Sequence, residues 1–136
     1  MNETVQRVSI GSTHNYSILS APKLLVFLSV PWSVPERVSR AAFVEAARVL
    51  AKRYPGTNVA TVILDEESDA TLDWIRSLHL PHLYGTCALG YDSIIWLESG
   101  NAVDCIVNPG RAGWERIVIR TLELFGPPSD GKKGNA

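Results

Sequence analysis

Between Lys23 and Val30 the chain reads KLLVFLSV, an unbroken apolar run closed by Pro22 and Pro31. It lacks the alternation of a half-exposed strand and predicts a strand buried on both faces. From Val34 to Tyr54 the period changes. Val38, Ala42, Phe43, Ala46, Leu50 and Tyr54 recur at three- or four-residue steps, with Arg37, Arg40, Glu45, Arg48 and Lys52 between them, which predicts an amphipathic helix. Pro55-Gly56 stops it, because proline cannot continue a helix and glycine accepts the left-handed conformation that often follows one. A second buried-strand pattern, NVATVILD, comes next. Strand, helix and strand joined by a crossover of about thirty residues make a βαβ unit with parallel strands.

Glu66 to Leu78 reads as a shorter helix, with Leu72, Ile75 and Leu78 inward and Glu66, Glu67 and Asp69 near its positive N-terminal end. Residues 79 to 91, HLPHLYGTCALGY, have no clear period and read as a long loop. SIIWLESGNAVDCIV predicts a hairpin turning at Ser99-Gly100-Asn101. Trp114, Ile117, Val118, Thr121, Leu122 and Phe125 then form one face of a last helix. Ahead of all this stands a weak strand at Val5 to Ile10, followed by loop-like GSTHN. The order ββαβαββα predicts an α/β fold, a central mixed β-sheet flanked by helices on both faces. Residues 23–126 form the domain, 1–22 pack on it as a strand and loop, and the polar tail 127–136 has nothing to bury and is expected to be disordered.

Composition narrows the function classes. A chain of 136 residues fits one domain with a sizeable core. A formal net charge of -1 and no basic patch give no reason to expect nucleic acid. The first 20 residues lack a basic start followed by an apolar run, and Leu24 to Leu28 is too short to span a bilayer. The expectation is a soluble, cytoplasmic protein without membrane contact. Cys87 and Cys105 are too few and too far apart for a disulfide framework or a zinc site.

Four blocks resemble thioredoxin. KLLVFLSVPWSVPE resembles that family's strand and W-C-G-P-C turn, NVATVILDEE its next strand, GYDSIIWLESG its G-I-P-T stretch, strand and turn, and AVDCIV with the last helix its C-terminal segment. The resemblance covers about residues 23 to 126 and implies the thioredoxin-like fold. It alone carries an association with cell redox homeostasis.

The residues that define the family's chemistry are different here. In thioredoxins the first cysteine of the turn is a nucleophile of lowered pKa and the second resolves the mixed disulfide. The matching positions are Ser33 and Glu36, neither of which can exchange a disulfide. The family's buried acid matches Phe27, its lysine partner matches Thr61, and its cis-proline matches Asp92, or Pro81 if the loop is threaded differently. Trp32 and Pro35 match the family, and Glu36 is expected to face the helix N-terminus.

The resemblance with these losses implies a redox-inactive pseudoenzyme, an adaptor that binds a protein or peptide in the relic groove around Trp32, Ser33, Val34, Pro35, Tyr91 and Asp92. No cofactor and no catalytic residue is expected. A second reading makes Cys87 a single reactive thiol, in an enzyme or sensor resolved by glutathione or another external thiol. His79, His82 and Cys87 lie on an irregular segment without a sequence-adjacent carboxylate, so no metal site is expected. Ser33 has no G-x-S-x-G elbow to make it a hydrolase nucleophile. Self-association through an exposed Trp74 or Trp96 is a third reading, and the sequence leaves the oligomeric state, including a dimer, open.

Overall fold

The structure, a computed structural model, describes residues 6–8, 19–30, 34–65, 69–78, 92–107 and 109–126. The elements are β1 (Gln6–Val8), β2 (Leu24–Ser29), α1 (Glu36–Arg53), β3 (Ala60–Asp65), α2 (Asp69–Arg76), β4 (Ser93–Glu98), β5 (Asn101–Val107) and α3 (Trp114–Phe125). Short 3₁₀ turns follow α1 at Pro55–Thr57 and precede α3 at Pro109–Arg111. The five strands lie in the order β1-β3-β2-β4-β5. β3 is parallel to both β1 and β2, while β4 runs antiparallel to β2 and β5. The sheet is therefore mixed, as its pattern predicts.

The apolar run becomes the central strand. All six residues of β2 are buried, because the sheet carries helices on both faces. Leu25 and Phe27 point to the face covered by α1 and α3, where they meet Phe43, Leu50, Ile63, Ile94, Trp96 and Ile117. Leu24, Val26 and Leu28 point to the other face, against Val62, Leu64, Ile75, Leu78, Ile95 and Leu97. Each such side chain contributes about 1.5–3 kcal/mol when fully buried. Phe27 and Phe43 stack with ring centroids 5.4 Å apart. Trp96 is fully buried, and its indole N–H donates to Thr121 Oγ1 at 2.9 Å. That burial removes Trp96 from any self-association surface: its strand is interior to the sheet, and α3 covers its side chain.

Some expectations change in detail. Of the predicted first strand, Gln6–Val8 is a strand and 5, 9 and 10 lie outside the described residues; α2 ends at Arg76, short of Leu78, and 66–68 lie outside the described residues. The hairpin turns on two residues, Ser99 at φ 50° and Gly100 at φ 89°, the pair of positive angles that matches the twist of the flanking strands. In β5 the register slips between Trp96↔Asp104 and Leu97↔Ala102, which leaves Val103 without a partner across the ladder.

The connections place the site. From β2 the chain passes through α1 to β3 on one side, then through α2 to β4 on the other side of β2. The carboxyl end of β2 is therefore the topological switch point, where open α/β sheets bind their ligands. Among the described residues no helix is long and apolar enough to cross a membrane.

Candidate functional site

At the carboxyl end of β2 the chain runs towards α1, and Trp32 and Ser33 lie outside the described residues, as do Tyr91, Cys87 and the rest of 79–91. Val34 and Pro35 are exposed, Val34 to 91%. Pro35 is the N-cap and supplies no side-chain hydrogen bond. Its fixed φ suits a helix start and its missing N–H has no partner to lose there. Glu36 and Asp92 are buried.

Glu36 lies in the first turn of α1, as expected, with its carboxylate turned inward. Its Oε2 accepts from Ser29 Oγ at 2.8 Å and from Arg40 Nη2 at 2.6 Å. The same guanidinium nitrogen lies 2.9 Å from Ser29 Oγ. The side chain is only 8% exposed and that of Arg40 is 28% exposed. The cause is local: Ser29 closes β2 on the sheet face that α1 covers, and Arg40 lies one helical turn beyond Glu36, so the carboxylate turns inward to both. The Arg40 guanidinium carbon also lies 6.0 Å from the centroid of the Phe27 ring, a cation over an aromatic face. Where the family resemblance places a buried acid, Phe27 is packed into the core, and this chain's buried ion pair stands instead at the position of the second motif cysteine.

Asp92 immediately precedes β4. Leu28 pairs with Ser93, and continuing that register sets Asp92 across from Ser29. Both carboxylate oxygens of Asp92 are buried without a hydrogen-bond partner among the described residues. Asp92 therefore lies behind the turn rather than on its open surface.

The open surface is built from elements the sequence pattern did not connect. Pro35, Val38 and Ser39 form one wall of a groove of about 310 Å³, and Gly110 and Arg111 form the other. Val38 is 62% exposed. Ser39 Oγ accepts from the Gly110 N–H at 3.1 Å. A Cβ on Gly110 would sit 2.8 Å from Val38 Cγ1 and 2.9 Å from the Ser39 nitrogen, so only glycine lets the walls close to this distance. The Asn108-Pro109-Gly110 stretch was the available signal for this contact.

Cys105 is half-buried on β5, and burial, with the charge of Asp104 adding to it, pushes its thiol above the ordinary cysteine range. The group holds its proton more tightly when folded. Its contribution to stability is thus complete below the unfolded pKa of about 8.5 and is lost as pH rises through the folded value. Iodoacetamide at pH 7 is expected to modify Cys105 at least tenfold more slowly in the folded protein than in urea, read by mass spectrometry of the peptide. Equal rates would show an exposed, ordinary thiol. Among the described residues no group of three or more His, Cys, Asp or Glu is placed to hold a metal.

No protein-family model and no curated protein matches this sequence. Solved structures do match. Thioredoxin from Trypanosoma brucei brucei is 15% identical with a TM-score of 0.56, covering 88% of this chain and 92% of that one. Oxidised thioredoxin from Plasmodium falciparum is 14% identical with a TM-score of 0.58, covering 85% and 96%. Thioredoxin O2 from Arabidopsis thaliana is 17% identical with a TM-score of 0.55, covering 92% and 99%. At such identities the likeness speaks for architecture alone, and it agrees with the strand order and the two helical layers: the chain has the thioredoxin-like fold.

Proposed function

We propose that this chain is a binding module that holds an extended protein segment at the carboxyl end of β2, without dithiol exchange. One observation carries the reading. At the fold's switch point an exposed apolar surface, Val34, Pro35 and Val38, borders a groove walled by Gly110 and Arg111, while the residue standing for the second motif cysteine is fixed in a buried ion pair. Exposed valines gathered at a ligand-binding position support an interaction surface. Ser33 and Glu36 leave the turn without a nucleophilic or a resolving thiol.

The test is a selection of random twelve-residue peptides on the immobilised protein, followed by affinity measurements on Val38→Asp. The exposed substitution is expected to leave the urea midpoint unchanged and to weaken selected peptides by about tenfold or more, since it sets a charge in an apolar contact. Peptides that bind Val38→Asp as tightly as the natural protein would move the site elsewhere. In parallel, the protein is expected not to accelerate reduction of insulin disulfides by dithiothreitol; acceleration would restore an exchange function through Cys87 or Cys105.

A further inference from the structure

Among the described residues that line the groove, the charge is positive. Arg111 is the charged residue among those that line it. Arg37 is exposed next to Val38. At the helical advance per residue, Val38 and Ala41 share an exposed stripe of α1, and Arg37 borders that stripe on the side away from Ser39. Arg40, Arg48, Arg76 and Arg120 are engaged in ion pairs. Arg37 and Arg111 have neither a hydrogen bond nor an ion pair among the described residues. Of the acids next to α1 at this end, Glu36 is buried and neutralised by Arg40 and Asp92 is buried; Asp69, at the start of α2, is exposed. Glu115, in the first turn of α3, has its carboxylate close to Gly113.

We infer, resting on the binding reading above, that the segment held here is acidic: an extended protein stretch with an apolar side chain for the groove and carboxylates on its flanks, met by Arg37 and Arg111. A guanidinium is weakly hydrated and presents a planar fork that matches a carboxylate. Two such contacts on opposite sides of an apolar groove set both composition and spacing. An apolar residue stands between acids, so that neighbouring side chains of an extended strand reach the rim while one enters the groove.

The experiment uses the full chain and three twelve-residue rhodamine-labelled peptides that alternate valine or leucine with glutamate, with serine, or with lysine, read by fluorescence anisotropy. The glutamate peptide is expected to bind about tenfold tighter than the serine peptide, with the lysine peptide weakest, since exposed pairs contribute modestly but unfavourable ones repel. The preference is expected to shrink as salt rises from about 0.05 to 0.5 M, which screens exposed charges. The double variant Arg37→Glu, Arg111→Glu is expected to reverse the order of the glutamate and lysine peptides at an unchanged urea midpoint. Equal binding of the glutamate and serine peptides, with both weakened by Val38→Asp, overturns the acidic assignment and leaves the binding surface standing. Absence of binding by all three overturns the proposal, and the random-peptide selection then decides separately whether the surface binds at all.

Discussion

Replacing Glu36 by alanine is expected to destabilise the protein by about 2–3 kcal/mol, a large effect for a residue in the first turn of a helix. An exposed glutamate of a helical i,i+4 pair contributes a few tenths of a kcal/mol. Breaking a buried pair costs about 3–5 kcal/mol, because the remaining charge loses its counterpart where water cannot replace it. Glu36 is close to the second case, but the Arg40 side chain keeps 28% of its exposure, which lowers the expectation. The alanine variant also leaves Ser29 Oγ without its acceptor. In urea the loss appears as a midpoint lower by about 1–2 M at an unchanged slope. The double variant Glu36→Ala, Arg40→Ala is expected to lose less than the sum of the two single variants, since the second removal leaves no uncompensated charge. A single variant within about 0.5 kcal/mol of the natural protein would mean that the pair behaves as a solvated surface contact.

Asp92→Asn is expected to act in the opposite direction and raise stability at pH 7 by about 1–2 kcal/mol. Both oxygens of Asp92 are buried and have no hydrogen-bond partner among the described residues. A carboxylate in that position loses its hydration without recovering it from the protein, and an amide of the same shape gives up less. The thermal midpoint is expected to rise by about 3–6 °C for a domain of this size. A fall instead would show that the carboxylate has a donor in solution. The two variants thus separate the acids at this end of the sheet: Glu36 is held by partners and supports the fold, whereas Asp92 is tolerated by it.

Much of the architecture was legible because burial writes a pattern. The apolar run of β2 could be read as a strand covered on both faces, and the steps of Phe43, Ala46 and Leu50 identified the core side of α1, whereas Val38, read as part of the same stripe, is exposed at the groove because the first turn of the helix extends past the sheet. The hairpin followed from the glycine between two β-rich runs, but its turn is one residue shorter than read, because Asn101 already belongs to β5. The polar centre was harder to read. Glu36 and Arg40, four residues apart, look like an ordinary solvated pair, and only Ser29, a hydroxyl at the end of an apolar strand, marks the place they converge. The residue pattern includes Thr121 among the apolar positions of its helix, and the structure gives the reason: its hydroxyl is the acceptor for the Trp96 indole. The groove depends on Gly110 approaching Ser39, a contact across 71 positions of sequence, which no local period can reveal. Trp32 and Tyr91, read as binding residues from the resemblance, lie outside the described residues, so the surface proposed here stands on Val34, Pro35, Val38, Gly110 and Arg111.

That a thioredoxin-like turn here serves contact rather than exchange is tested most directly by titrating the isotope-labelled protein with the tightest selected peptide and following its amide spectrum, with and without dithiothreitol. The predicted result is a set of shifts centred on Val34, Val38, Ser39, Gly110 and Arg111, the same in both conditions. Shifts centred on another part of the fold, or binding that dithiothreitol abolishes, would contradict it.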